Sequence, residues 1–189
     1  MPAPSRPPAF AVPVIETPRL LMRGLEAADA PALARIHGDA EVMRFLGGRT
    51  DDTLPGAYDK ILLYVGHWVL HGCGKWAVVE KSSGRLVGRT GFIDAPYEWP
   101  GLELGWTFGR ESWGKGYATE SALAARDWAF TQLGVTSILS MIAPANAASQ
   151  RVAARIGETP WNPYLHRDGA EQMLWAITRE TWLSRSGAA

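Results

Sequence analysis

Apolar and polar residues follow two different periods along this chain, and the places where the period changes mark out its elements. The segment RLLMRGL (residues 19–25) reads as a short strand. In EAADAPALARIHGDAEVMRFLG, Asp29 stands where it can cap a helix that carries Leu33 and Ile36. A second helix is predicted over 55–71, because Tyr58, Leu62, Val65 and Val69 recur at helical spacing. Then the period changes. KWAVVEK, RLVGRTGFID and LELGWTF are rich in β-branched and aromatic residues, and KSSGR between the first two is turn chemistry, so three consecutive strands form a meander. From 115 to about 133 the pattern is helical again, with Ala118, Ala122, Ala125 and Ala129 as a stripe of small residues that lets the helix lie close on a sheet. SILSMIA (137–143) is a strand and NAASQRVAARIG a helix ending at Gly157. Asp168-Gly169 has the character of a hairpin turn leading into EQMLWAIT. No internal repeat is present, and the alternation predicts a mixed α/β, or α+β, fold.

Composition narrows the function. The chain has 189 residues, 47% of them hydrophobic, enough for one domain with a substantial core. We expect that domain over 15–183, a proline-rich flexible tail over 1–14 and a short tail over 184–189. Nineteen basic residues balance nineteen acidic ones, with no basic block, so a nucleic-acid surface has no electrostatic support and a small-molecule or peptide substrate is expected. The single cysteine, Cys73, excludes an intramolecular disulfide and a thiolate zinc cluster and fits a reducing cytoplasm. No apolar run is long enough to span a bilayer, and MPAPSRPPAFAVP has no apolar stretch of the secretory kind.

The stretch RESWGKGYATE (110–120) places Gly114 and Gly116 between a strand and a helix start. Bare backbone there lets a ligand approach closely, and a helix start offers free N–H groups with a partial positive charge, which together make an anion cradle. It is neither a P-loop nor a dinucleotide fingerprint, since Thr119 stands where the latter needs a third glycine. Taken alone, the two glycines also fit an ordinary turn.

Four segments in this order, ETPRLLMRGL, GRLVGRTGF, LELGWTFGRESWGKGYATE and NAASQRVAARIG, resemble the GNAT acetyltransferase superfamily, and within it the RimJ/RimL ribosomal-protein alanine N-acetyltransferases. The resemblance implies a mostly antiparallel twisted sheet of about seven strands, flanked by helices and splayed between the fourth and fifth. It implies acetyl-CoA as co-substrate, its pyrophosphate held by main-chain amides of Trp113, Gly114, Lys115, Gly116, Tyr117, Ala118 and Thr119. It also implies a bulge near Trp106, Thr107 and Phe108 that turns a backbone N–H towards the thioester. Asn146 can cap its helix alone or also bond the pantetheine arm, and Arg151 and Arg155 either reach the phosphates or form an ordinary solvated helix face.

Two departures from the family pattern stand out. Glu111 occupies the first position of the pyrophosphate loop, where the family has Gln or Arg, which puts CoA affinity in question. Ala153 stands where many members carry the tyrosine that protonates the leaving thiolate; Ser149, at the position where RimJ/RimL relatives commonly have serine, is the remaining donor. Acyl transfer also needs a base for the attacking amine. In LELGWTF, Leu102, Leu104, Trp106 and Phe108 fall on one strand face and Glu103, Gly105 and Thr107 on the other, so Glu103 is a carboxylate on a buried strand: a general base, or a structural acid with a partner.

The remaining candidates carry less. His37, His67, His71 and His166 show no ligand motif beyond the i, i+4 pair His67 and His71, and no metal is expected. Cys73 reads as structural. Trp68, Trp76 and Trp99 lie on segments that frame the acceptor cleft in the family, although most of the nine tryptophans are expected in the core. Asp39, Glu41, Asp51 and Asp52 read as acidic surface. The expected activity is transfer of acetyl to a primary amine, on a protein N-terminus or a small molecule. The alternative is a non-catalytic acyl-CoA sensor, and a homodimer is left open.

Overall fold

A computed structural model describes residues 11–94, 102–166 and 169–186. Eight strands form one sheet in the order β1-β2-β3-β4-β5-β6-β8-β7: β1 (Ile15–Glu16), β2 (Leu20–Arg23), β3 (Lys75–Glu80), β4 (Arg85–Asp94), β5 (Leu102–Phe108), β6 (Ser137–Ile142), β7 (Thr159–Leu165) and β8 (Glu171–Thr178). The strand beyond the expected seven is the two-residue β1, too short for periodicity to reveal. The helices are α1 (Ala30–Gly38), α2 (Ala40–Met43), α3 (Leu54–His71), α4 (Tyr117–Trp128), α5 (Ala147–Arg155) and α6 (Arg179–Ser186). The closing hairpin of β7 and β8 is antiparallel as expected, and Asp168 of its turn, like Trp99, lies outside the described residues.

Two helix expectations need correcting. Asp29 precedes α1, but its carboxylate does not cap it. It forms a bidentate pair with Arg23 (2.8 Å to each Nη) and accepts from the Glu26 N–H, closing the 3-10 turn Ala27–Asp29 ahead of the helix. In α3 the stripe Tyr58, Leu62 and Val69 faces solvent, and the buried face is Ala57, Ile61, Tyr64 and Trp68, which has the same spacing in a different phase. A helix rich in apolar residues all round offers two stripes, and only the sheet decides between them.

Strand register fixes what each sheet face carries, because directly opposed residues share a face. Lys75 lies opposite Gly91 and Ala77 opposite Arg89; across β4 and β5, Arg89 opposes Thr107, Gly91 opposes Gly105 and Ile93 opposes Glu103. Lys75, Arg89, Glu103, Gly105 and Thr107 therefore look out on one side, where α1 and α3 pack over Ala77 and Leu86. The other side carries Trp76, Phe92 and Leu104, covered by α4 through the fully buried alanines Ala122 and Ala125. Thr90 and Ser121 hydroxyls meet there at 2.8 Å.

All strand pairs are antiparallel except β5 with β6, which run parallel and pair only at Leu102 with Ile138 and Glu103 with Leu139. Beyond that point the sheet splays. The ladder between β4 and β5 runs unbroken from Leu102 to Phe108, so the bulge expected near Trp106 to Phe108 is absent from it. The Gly109 N–H donates to Val87 (3.0 Å), which sets the phase of the strand: the Trp106 and Phe108 N–H groups point away from β4, into the gap.

A buried acid sits behind the gap. Ser140 Oγ on β6 lies 2.8 Å from the Leu104 carbonyl and 3.0 Å from Glu158 Oε1, and one hydroxyl proton cannot serve both acceptors. Burial pushes the Glu158 carboxyl well above the usual range, against the opposing effect of its hydrogen bond from Ser140. Because the unfolded carboxyl ionises near 4.3, folded stability associated with this acid is present below that pH and is lost as pH rises. Glu158→Gln should therefore match wild type near pH 4 and exceed it increasingly towards pH 8 in urea unfolding. A constant difference across that range would mean the carboxyl is ionised in the folded protein.

Candidate active site

The loop from β5 to α4 builds the first half of the site. Gly114 (φ 75°) and Gly116 (φ 81°) both lie in the left-handed region, and Gly116 is the N-cap of α4. A Cβ at Gly116 would have room, with Arg19 Nη2 3.5 Å away, so glycine is needed there for its backbone conformation rather than for space. The segment before β2 braces this loop. Arg19 donates to the Lys115 carbonyl (2.8 Å) and to Glu120 (2.7 Å), its guanidinium lies 4.9 Å from the Tyr117 ring, and Thr17 donates to Glu120 (2.6 Å). The Tyr117 hydroxyl donates to Glu80.

From this loop a groove of about 610 Å³ runs to the splay. It is lined by Trp106, Thr107, Phe108, Trp113, Gly114, Gly116, Tyr117, Ala118, Thr119, Asn146, Ser149 and Arg151, which is every cofactor or leaving-group candidate from the sequence except Lys115. Lys115 turns its ammonium over the Tyr117 ring, 5.8 Å from the centroid, and takes part through its carbonyl. Glu111 also lies outside the groove. Its carboxylate reaches Arg35 and Arg85, each at 3.5 Å, so the unusual charge in the loop is directed at two cations rather than at the cradle. Asn146 Oδ1 accepts from the Ser149 N–H (3.1 Å) as an N-cap, which leaves its amide nitrogen to donate to a ligand. Ala153 is fully buried.

A second cavity, of about 170 Å³, opens on the other side of the splay and is lined by Lys75, Arg89, Glu103, Gly105 and Ser140 among others. The two cavities share Phe45, Leu46, Trp106, Thr107, Asn146 and Ser149. Glu103 is partly buried here and has a charged neighbour. Lys75, only 2% exposed, donates from Nζ to the Gly91 carbonyl (2.7 Å) and lies 3.4 Å from the Gly105 carbonyl. A Cβ on residue 105 would stand 2.9 Å from that nitrogen, so any side chain there would make the lysine tip shift. Burial pulls the Lys75 ammonium down to about 7, and Glu103 opposes the shift.

Other candidates resolve as structure. Trp68 and Trp76 are core, edge to face at 4.7 Å, and do not line either cavity. Asp39 caps α2 and pairs with Arg110 at 3.1 Å, and Asp51 caps the turn before α3 through Thr53; of the acidic group only Glu41 lines the groove. His67 and His71 stack at 5.2 Å and His71 faces Asp94 at 3.4 Å, but no group of three or more His, Cys, Asp or Glu among the described residues could hold a metal. Burial pushes the Cys73 thiol up to about 11, which leaves it unreactive. No helix among the described residues is long and apolar enough to cross a membrane.

A family model for the acetyltransferase (GNAT) domain matches residues 19–159. The chain belongs to the GNAT acetyltransferase family. The crystal structure of an acetyltransferase from Agrobacterium tumefaciens superposes with a TM-score of 0.78 at 30% identity, over 92% of this chain and 99% of that one. The uncharacterized N-acetyltransferase p20 of Bacillus licheniformis is 29% identical over 70% of this chain and 75% of its own. A ribosomal-protein-S5-alanine acetyltransferase from Vibrio fischeri shares the fold, with a TM-score of 0.74 at 20% identity over 89% and 98% of the two chains. With the family established, the protein is an acetyltransferase, and the non-catalytic reading gives way.

In this acetyltransferase, sequence reasoning missed Arg44 and Phe45 on the groove, and Lys75 and Arg89 on the second cavity. Lys75 leads a strand that reads as apolar, and only its register with β4 shows that it sits on the site side. Since unfolded lysine keeps its proton up to about 10.4, wild-type stability should fall as pH drops from about 10 to about 7. Lys75→Met, which has no such proton to lose, should gain on wild type over that interval when both are unfolded chemically at pH 7 and pH 10. An unchanged difference would place the Lys75 pKa near its ordinary value.

Proposed function

We propose that this acetyltransferase moves acetyl from acetyl-CoA to a primary amine by direct attack, with no covalent enzyme intermediate. The observation that carries the reading is the meeting of two cavities at the splay: a long groove ending in a glycine cradle, and a small cavity holding a carboxylate. The residues present fit acetyl-CoA. Gly114 and Gly116 leave main-chain N–H groups at the start of α4 open to a pyrophosphate, and Arg44, Arg151 and Arg155 line the same groove, where cations suit phosphates.

Each requirement of the chemistry then has a residue. The incoming amine must be neutral, and Glu103, in the small cavity, takes its proton directly or through water. Charge developing on the carbonyl oxygen is met by the Trp106 and Phe108 N–H groups, which face the gap and are held by the β4 ladder. The leaving sulfur needs a hydrogen bond, and Ser149, shared by both cavities, supplies it where Ala153 cannot. The sequence segments resemble the RimJ/RimL branch, which favours an α-amino acceptor, and the single buried thiol favours a reducing cytoplasm.

A panel of amines and free-amino-terminus peptides, scored by CoA release, tests the reading; no release with any amine would remove it. Two substitutions separate its parts. Gly116→Asp forces a side chain into the left-handed region, at a cost of about 1–3 kcal/mol, and sets a carboxylate against phosphate. Calorimetry should show acetyl-CoA affinity falling by more than about tenfold. Ser149→Ala should lower kcat by roughly ten- to a hundredfold, about 1.4–2.8 kcal/mol, with acetyl-CoA dissociation nearly unchanged. Wild-type turnover in that variant would leave water or the substrate itself as the proton source.

A further inference from the structure

The acyl-transfer chemistry makes no use of Arg89, yet this arginine lines the small cavity together with Glu103. It stands on β4 opposite Thr107, on the sheet face that also carries Lys75 and Glu103. The Tyr64 ring supports its guanidinium from α3, 5.0 Å from the centroid. Among the described residues no carboxylate lies within ion-pair distance of it, whereas Arg19, Arg35, Arg85 and Arg110, outside the cavities, each have one. Its Nε is buried without a hydrogen-bond partner, and so is Oγ1 of the opposing Thr107.

The charge of Arg89 is felt by its neighbours. Burial first, then Arg89, holds the His37 imidazole down at about 4, and Arg89 adds to the lowering of Lys75. The cavity thus carries the guanidinium of Arg89 beside Lys75 and Glu103. A partly buried guanidinium is normally matched by an anion, and among the described residues none stands within ion-pair distance of Arg89. At about 170 Å³ this cavity is much smaller than the groove of about 610 Å³, which suits a small partner.

We propose that the acceptor is a small amine carrying its own carboxylate, an amino-acid-like molecule whose carboxylate pairs with Arg89 while its amine faces Glu103. Thr107 Oγ1 supplies a further donor to the same carboxylate. Arg89 and Glu103 start about 13 Å apart along the strands, four residues at about 3.3 Å each, and their long side chains shorten that span from both ends. A polyamine, by contrast, would bring further positive charge to Arg89. The inference deepens the transferase reading and rests on it only for placing the amine beside Glu103.

Matched triplets test it: L-alanine, L-valine and L-methionine, each with its amide and its decarboxylated amine, plus spermidine. The free acids should exceed the amides and amines in kcat/KM by about tenfold or more, the loss expected when one charge-assisted pair goes unmade. Arg89→Gln should abolish the preference by raising KM for the acids alone, and Arg89→Lys should retain part of it. Calorimetry with CoA bound reads recognition without turnover, and acids should bind wild type but not Arg89→Gln. Acids that bind through Arg89 without being acetylated would support this inference while sinking the transferase reading. Transfer with equal or better rates for amides, amines, spermidine or peptides would do the reverse. Equal loss for acids and amides in Arg89→Gln, or no acid binding to wild type, also overturns it. Should Arg89→Gln fail to fold, the wild-type triplets and Arg89→Lys still decide.

Discussion

The site depends on a single departure from regular pairing: β5 and β6 lie parallel for two residue pairs and then part. A sheet edge opened inside a fold leaves backbone N–H and C=O groups without a strand partner, and such groups are costly to bury unless something else meets them. Here the two sides of the gap are treated differently. The Leu104 carbonyl is met by Ser140, and the Phe108 carbonyl by the Trp113 indole (2.9 Å), whereas the Trp106 and Phe108 N–H groups look into space shared with the groove. These two carbonyls are satisfied internally, while the two N–H donors are left facing the groove.

Holding the gap open takes buried polar groups on both faces. On one side Ser140 and Glu158 are hydrogen-bonded in a buried pair where desolvation raises the carboxyl's hold on its proton. On the other, Lys75 ties Gly91 to Gly105 through their carbonyls and so fastens β4 to β5 just where β5 loses its second neighbour. A salt-linked lysine in this position would be rigid but expensive to desolvate, and one with a pKa near 7 lessens that cost by giving up its proton. The same lysine sets the charge around Glu103, so support of the sheet and preparation of the site are one arrangement.

What the sequence could reveal follows from the range of the interactions. The glycine loop and the cap at Asn146 are local chemistry, spelled within a few residues, and the groove duly gathers them. Strand alternation placed Glu103 opposite in direction to Leu104, and the register agrees. The phase of α3 could not be read locally, because two apolar stripes compete and the sheet selects the one through Ala57 and Trp68. Arg89 and Lys75 were invisible for a stronger reason: each is an unremarkable basic residue until three strands are set in register. Glu111 was misleading in the opposite sense, its position in the loop suggesting contact with phosphate while Arg35 and Arg85, distant in sequence, draw it away.

Gly105 shows how the two scales combine. Within LELGWTF it weakens a strand that every other position favours, and local propensity offers no reason for it. The reason is Lys75, whose ammonium occupies the volume a methyl group would take. A side chain at 105 would push that charge towards the cavity or out of contact with Gly91, and either movement alters the field at Glu103. A glycine in a strand interior thus records a decision made thirty residues earlier in the chain, where a lysine was placed among apolar neighbours. The weak residue and the misplaced charge each look like a flaw alone, and together they line the small cavity beside Glu103.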